Sequence, residues 1–231
     1  RFPNARLVVH PRAVRHMVDP SRLIKSTMSV YGEENFRRMY GEIIPVGASR
    51  IIEAVDNFHI KMNGRTLLFI DTPGHARHHF CIFDERSRSF FTGDTFGVSY
   101  REFDVDGMEF VFPTTTPVQF DPLAAHRSLD RIMSYDPQYA FLTHYSRIGN
   151  LTQHATMLHD LIDDYVTIAN NTYNQRADGN VLLVKELGEL LTQRIKSHGC
   201  ILPQNEIHDL LSMDVNLNAE GLKCWLELNN K

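Results

Sequence analysis

Three times along this chain a short apolar run ends on a side chain with metal-ligand chemistry, and this pattern limits the fold more than any other feature. The first run is Leu67-Leu68-Phe69-Ile70-Asp71, followed by Thr72-Pro73-Gly74-His75 and then Ala76-Arg77-His78-His79. The second is Ser89-Phe90-Phe91-Thr92, followed by Gly93-Asp94-Thr95-Phe96-Gly97. The third is Ala140-Phe141-Leu142, followed by Thr143-His144-Tyr145. Runs of four to eight apolar residues bounded by turn residues read as buried strands. Ligands at the ends of different strands can converge at one edge of a sheet. His75 and His144 offer imidazoles and Asp94 a carboxylate, a mixed nitrogen and oxygen set that suits zinc, iron or manganese. Gly74 and Gly93 immediately precede two of these residues, and glycine lets a turn adopt left-handed dihedrals and approach a site closely.

The rest of the chain supplies a frame for these strand ends. Ala5 to His10 reads as a strand, and helical patterns follow at Val14 to Val18, Arg22 to Ser26 and Glu33 to Tyr40. Between Arg50 and Gly97 the period is two, with strands at Ile51 to Ala54, Phe58 to Met62, Thr66 to Ile70, Phe80 to Phe83 and Ser89 to Thr92. Asn63-Gly64 marks a hairpin. An amphipathic helix over Asp121 to Ser134 leads into a last strand, Tyr139 to Leu142. Beyond Gly149 the pattern is helical, at Leu151 to Asn170, Val181 to Ser197, Asn205 to Met213 and Ala219 to Leu228. Gln175 to Asn180 reads as a loop, and Gly199 as a helix C-cap. The reading is therefore an α/β domain over residues 1–149 and a helical appendage over 150–231. The stripe of Leu158, Leu161, Ile162, Tyr165, Val166, Ile168 and Ala169 needs a covering surface. The appendage's later helices and the outer helices of the α/β part are the first candidates, and a second copy of the chain, making a homodimer, is the next.

Composition narrows the partners. Twenty-four basic and 28 acidic residues give a net charge of −4. With no run of like charge, nothing points to a nucleic-acid or membrane surface, and a small-molecule substrate is the expectation. No apolar stretch approaches the roughly 18 residues of a membrane helix. Cys81, Cys200 and Cys224 are odd in number and far apart, which suits reduced thiols in a cytoplasmic protein. Cys81, inside a strand, reads as a small hydrophobe. His10, His16 and His59 are isolated, while His154 and His159 stand five apart on a helix and share no face, so none receives a metal role. Loops on a rigid scaffold gather substrate contacts. Phe96, Tyr100, Arg101, Phe103 and the Pro113 to Pro117 segment read as such a loop, with Tyr100 as a donor to a developing oxyanion and Arg101 as a clamp for a carboxylate or phosphate.

Taken together, T-P-G-H, the G-D turn after the next hairpin and the late strand ending in histidine resemble the second half of the metallo-β-lactamase fold superfamily, over roughly residues 1 to 149. The resemblance implies an αββα sandwich of which this chain holds the later part. It implies that His75 binds one metal, Asp94 bridges two and His144 binds the second. His79 matches the second histidine of T-P-G-H-x-x-x-H and takes an outer, orienting role. The family's H-x-H-x-D-H string occurs nowhere in this sequence. Its usual place is just before a strand such as Ala5 to His10, so the chain is expected to be cut at its N-terminal side. Each metal then has two ligands from this chain, whereas catalytic zinc usually has three protein ligands. The implied chemistry is hydrolysis of an ester, thioester or related bond. A metal-bound water attacks, and no side chain serves as nucleophile. Zinc comes first as the pair of divalent ions, with iron or manganese as alternatives. Two other readings share the fold: a di-iron protein that binds oxygen or nitric oxide, and a binding protein without catalysis.

Overall fold

The computed structural model describes residues 2, 4–115, 119–173 and 179–229. Two compact units divide the chain, Arg1–Phe58 and His59–Lys231. In the first, strand β1 (Leu7–Val9) pairs in parallel with β2 (Ile51–Glu53). Between them lie helices α1 (Val14–Val18), α2 (Ser21–Tyr31) and α3 (Glu33–Tyr40). Arg50 ties the strand pair to the entering chain, donating from Nε to the Ala5 carbonyl at 2.9 Å. Phe36, on α3, is buried.

The second unit is built on a six-stranded sheet in the order β10-β9-β6-β5-β4-β3. Its strands are β3 (Phe58–Met62), β4 (Arg65–Asp71), β5 (Phe80–Asp84), β6 (Ser89–Gly93), β9 (Tyr139–Leu142) and β10 (Arg147–Ile148). Asn63 and Gly64 both take positive φ, 51° and 76°, as the two-residue turn signalled by Asn-Gly requires. Strand β6 runs parallel to β9, reached through helix α4 (Pro122–Met133), whereas β4–β5 and β5–β6 are antiparallel. Three helices follow: α5 (Leu151–Tyr173), α6 (Gly179–Ser197) and α7 (Gln204–Asn229). Gly199, with φ at 106°, caps α6: its own N–H meets the Lys196 carbonyl, and that of Cys200 meets Ile195.

Three expectations change. The helices beyond residue 149 are not a separate body. Ile70, Phe90, Leu129 and Ala140 share one buried cluster with Leu158, Tyr165, Leu187, Leu191 and Leu222, so the compact units divide at residue 58 and not at 149. The α5 stripe is thus covered from within the chain. Secondly, the stretch after Asp94 is no open loop. It contains β7 (Val98–Ser99) paired with β8 (Val111–Phe112), and Phe96 and Phe103 are fully buried. Thirdly, α7 is one helix where the sequence suggests two. Asp214, Asn216 and Asn218 are weak helix formers, but each costs well under 1 kcal/mol, which a hydrogen bond offsets. Asn216 donates to the Ser212 carbonyl at 2.6 Å, and the other two bond to other segments. Of the expected Gln175–Asn180 loop, residues 175–178 lie outside the described residues, and Gly179 and Asn180 already open α6. Thr116 and Pro117 also lie outside them. Among the described residues, no helix is long and apolar enough to cross a membrane.

Candidate metal centre

The turn after β4 is shaped by α4. Asp121 caps this helix, accepting the Ala124 N–H at 2.9 Å, and its own N–H donates to the Gly74 carbonyl at 2.8 Å. One turn later Ser128 Oγ donates to the Pro73 carbonyl at 2.6 Å. The backbone of Ala125 packs so closely that a Cβ on Gly74 would lie 2.5 Å from its Cα, and φ at Gly74 is 137°. Only glycine meets both conditions. His75 therefore leaves the turn at a fixed angle, its side chain 16% exposed. Its Nδ1 donates to the Thr114 carbonyl at 3.3 Å, which leaves Nε2 as the lone-pair nitrogen, 3.4 Å from Asp94 Oδ2. Burial holds the imidazole below its ordinary pKa, while the Asp94 charge acts the other way.

Asp94 follows β6 through Gly93, which takes φ of +52°. A Cβ there would stand 2.2 Å from His79 Nε2. That nitrogen accepts the Asp94 main-chain N–H at 3.1 Å, so the ring proton sits on Nδ1, facing Thr95 Oγ1 at 2.9 Å and Thr72 Oγ1 at 3.0 Å. His79 thus sets the Asp94 turn through its backbone and leaves the carboxylate to face elsewhere. The parallel register, Gly93 opposite Leu142, places the turns after β6 and β9 side by side. His144 Nε2 lies 3.4 Å from Asp94 Oδ1. Tyr145 and Ser146 both hold positive φ, 87° and 69°, and the Leu142 N–H bonds to the Ser146 carbonyl at 3.0 Å. The chain reverses sharply here, with the His144 side chain 62% exposed on the turn.

These distances test whether cations fit. Two ligands held at about 2.1 Å by a tetrahedral ion stand roughly 3.4 Å apart, the separation seen in each His–Asp pair. Asp94 Oδ1 is buried and has no hydrogen-bond partner, a costly state for a carboxylate oxygen unless a cation meets it. Among the described residues no group of three or more His, Cys, Asp or Glu side chains is placed to hold one ion. A narrow cavity lies against His75 and Asp94, walled by Pro113, Thr114 and Phe120.

The two residues expected to touch substrate are engaged within the chain. Tyr100 donates its hydroxyl to Asp214 Oδ2 at 2.7 Å. Arg101 donates to Asp104 at 2.9 Å and to Ser146 Oγ at 2.6 Å, with its guanidinium 5.2 Å from the centre of the Tyr145 ring. Asp214 was not found from the sequence. Burial raises its pKa, while the hydrogen bond from Tyr100 first, and then His144, oppose the shift. Its only signal was the polar run Asp214-Val215-Asn216-Leu217-Asn218, which resembles a helix break. His154 and His159 lie away from the centre: His154 is buried between main-chain carbonyls of Gly149 and Glu109, and His159 stacks on His126.

The sequence profile of the metallo-beta-lactamase superfamily matches residues 4–144. No curated protein matches the chain. Among solved structures, an archaeal metallo-beta-lactamase superfamily protein from Sulfolobus tokodaii is 20% identical, with a TM-score of 0.58 over 95% of this chain and 70% of its own. A metallo-beta-lactamase family protein from Thermus thermophilus is 18% identical, with a TM-score of 0.52 over 90% and 67%. A beta-lactamase domain protein from Burkholderia ambifaria is 12% identical, with a TM-score of 0.53 over 98% and 60%. At these identities the likeness is one of fold.

Proposed function

This chain belongs to the metallo-beta-lactamase superfamily, and we propose that, completed by the ligands of the H-x-H-x-D-H string, it is a hydrolase dependent on two divalent cations, zinc ahead of iron or manganese, acting on an ester, thioester or related bond of a small molecule. The observation that supports this reading is the Asp94 carboxylate, whose two oxygens each face a different imidazole at 3.4 Å while Oδ1 has no hydrogen-bond partner. Cations held by His75, Asp94 and His144 would bring the pKa of water toward neutrality and stabilise a developing oxyanion.

The chain's own residues prepare the donors. The Thr114 carbonyl fixes the His75 tautomer, so Nε2 needs no proton loss before it can bind a cation. His79 holds the Asp94 main chain, and the two threonines on its Nδ1 keep that ring from turning. Phe120 and Pro113 wall the narrow cavity beside His75 and Asp94. Cys81, though hydrogen-bonded to Thr72, is fully buried with its thiol pushed up to about 12, so it offers no nucleophile at neutral pH.

The test is metal analysis of the full-length protein, with the ligands of the first motif included, after loading with zinc, iron or manganese, beside hydrolysis assays on an ester and thioester panel. Zinc uptake that Asp94→Ala abolishes, with hydrolysis that follows zinc content, is the expected result. Failure to take up any of the three metals at millimolar concentration overturns it.

A further inference from the structure

The metal centre accounts for three strand ends but not for helix α7, which presents two buried or half-buried polar side chains toward the loops around them. Asp214 and Asn218 are four residues apart and so lie on one face. Asn218 is 1% exposed. Its Oδ1 accepts the Thr115 N–H at 2.7 Å, its Nδ2 donates to the Pro113 carbonyl at 3.1 Å, and Thr115 Oγ1 donates to its main-chain oxygen at 3.0 Å. Pro113 and Thr115 are thereby held on both sides of Thr114, whose carbonyl takes the His75 Nδ1–H. Asp214 makes the second connection. It accepts the Tyr100 hydroxyl, and the residues flanking Tyr100 hold the His144 turn: the Ser99 N–H donates to the His144 carbonyl at 3.3 Å, and Arg101 grips Ser146 and Tyr145. The Tyr100 ring itself is stacked 6.2 Å from Phe112, so its hydroxyl has little freedom to move away from Asp214.

We infer that Asn218 and Asp214 are positioning residues for the proposed metal centre, Asn218 acting on His75 through residues 113–115 and Asp214 acting on His144 through Tyr100. The inference rests on the metal reading for its purpose, but not for its geometry. Stability alone argues for apolar residues here, since a leucine at 218 would extend the buried row of Leu211, Val215 and Leu222, whereas a buried amide must find partners for every polar atom. Outer residues that orient a metal-binding histidine are worth about 10 to 100-fold in metal affinity.

The experiment uses the 231-residue chain, with two readouts: imidazole nitrogen NMR of the metal-free protein, and cobalt titration followed by visible absorption. Tyr100→Phe and Asp214→Leu should alter the His144 signals and leave His75 unchanged; Asn218→Ala should do the reverse, with loss of the slowly exchanging His75 Nδ1 proton. All three should weaken cobalt binding about 10 to 100-fold and change its absorption. Asp214→Asn can still accept the Tyr100 hydroxyl and should restore both readouts. Leu211→Ala, a core truncation on the same helix, should lower Tm and move neither. Unchanged histidine signals in Tyr100→Phe and Asn218→Ala would overturn the inference, as would an Asp214→Asn variant as impaired as Asp214→Leu, since charge and not the Tyr100 bond would then matter. If the unaltered chain takes up no cobalt while the histidine signals respond as stated, the positioning stands and the metal reading fails.

Discussion

Replacing Gly93 by alanine should damage the centre through one identifiable contact. At φ of +52° an L-residue is in the left-handed region, which costs about 1–2 kcal/mol. The new Cβ would also stand 2.2 Å from His79 Nε2 and 2.6 Å from its Cε1, and the ring cannot simply swing aside because Asp94, Thr95 and Thr72 hold both its nitrogens. Forcing such an overlap costs about 1–3 kcal/mol. The sum is about 2–5 kcal/mol, or a fall in Tm of about 4–20 °C for a chain of this size. A double-mutant cycle separates the two contributions. In a His79→Ala background the overlap is gone, and Gly93→Ala should cost only the backbone share of about 1–2 kcal/mol. Urea denaturation of the four proteins gives the coupling directly. A coupling indistinguishable from zero would refute the claim that His79 is what requires glycine at position 93.

Asp94→Ala should lose more bound zinc, measured by elemental analysis, than His79→Ala, because Asp94 faces both histidines while His79 acts on its backbone and is worth about 10 to 100-fold. Asp84 is held well below the usual carboxylate pKa by the Arg65 guanidinium first, and by Ser87 and the Arg86 N–H. The stability it contributes is thus present above the ordinary value of 3.8 and lost as pH falls through that value and then through the folded one. Urea midpoints should accordingly drop faster below pH 4 in the unaltered chain than in Asp84→Asn, and parallel curves would count against the pair. With a disulfide reagent at pH 8, Cys224 should react in the native protein while Cys81, buried and pushed up to about 12, should react only after denaturation.

Much of the second unit was legible in the sequence because its signals are local. Period-two runs marked the strands of the central sheet, Asn63-Gly64 marked its hairpin, and the strand ends carrying His75, Asp94 and His144 are ones that the fold brings together. Gly74 and Gly93 were legible as necessary, but only the fold shows why: one lies against the Ala125 backbone, the other against His79. The stretch from Phe96 to Phe112 misled because its strands are two residues long, too short for a period to show. Its aromatic side chains looked like loop contacts and are core.

What the sequence by itself determined is the set of candidate donors and the elements that present them, since hydrophobic period and turn chemistry act over a few neighbouring residues. What only the tertiary structure decided is how those donors are held. Asp214 and Asn218 read as breaks in a helix, because in isolation each competes with its own backbone for hydrogen bonds. Partners more than 100 residues away, Tyr100 at a separation of 114 and Thr115 at 103, take up those side chains and let the helix continue through both. No local pattern encodes a bond across that distance, which exists only once the sheet, α5 and α7 share one core.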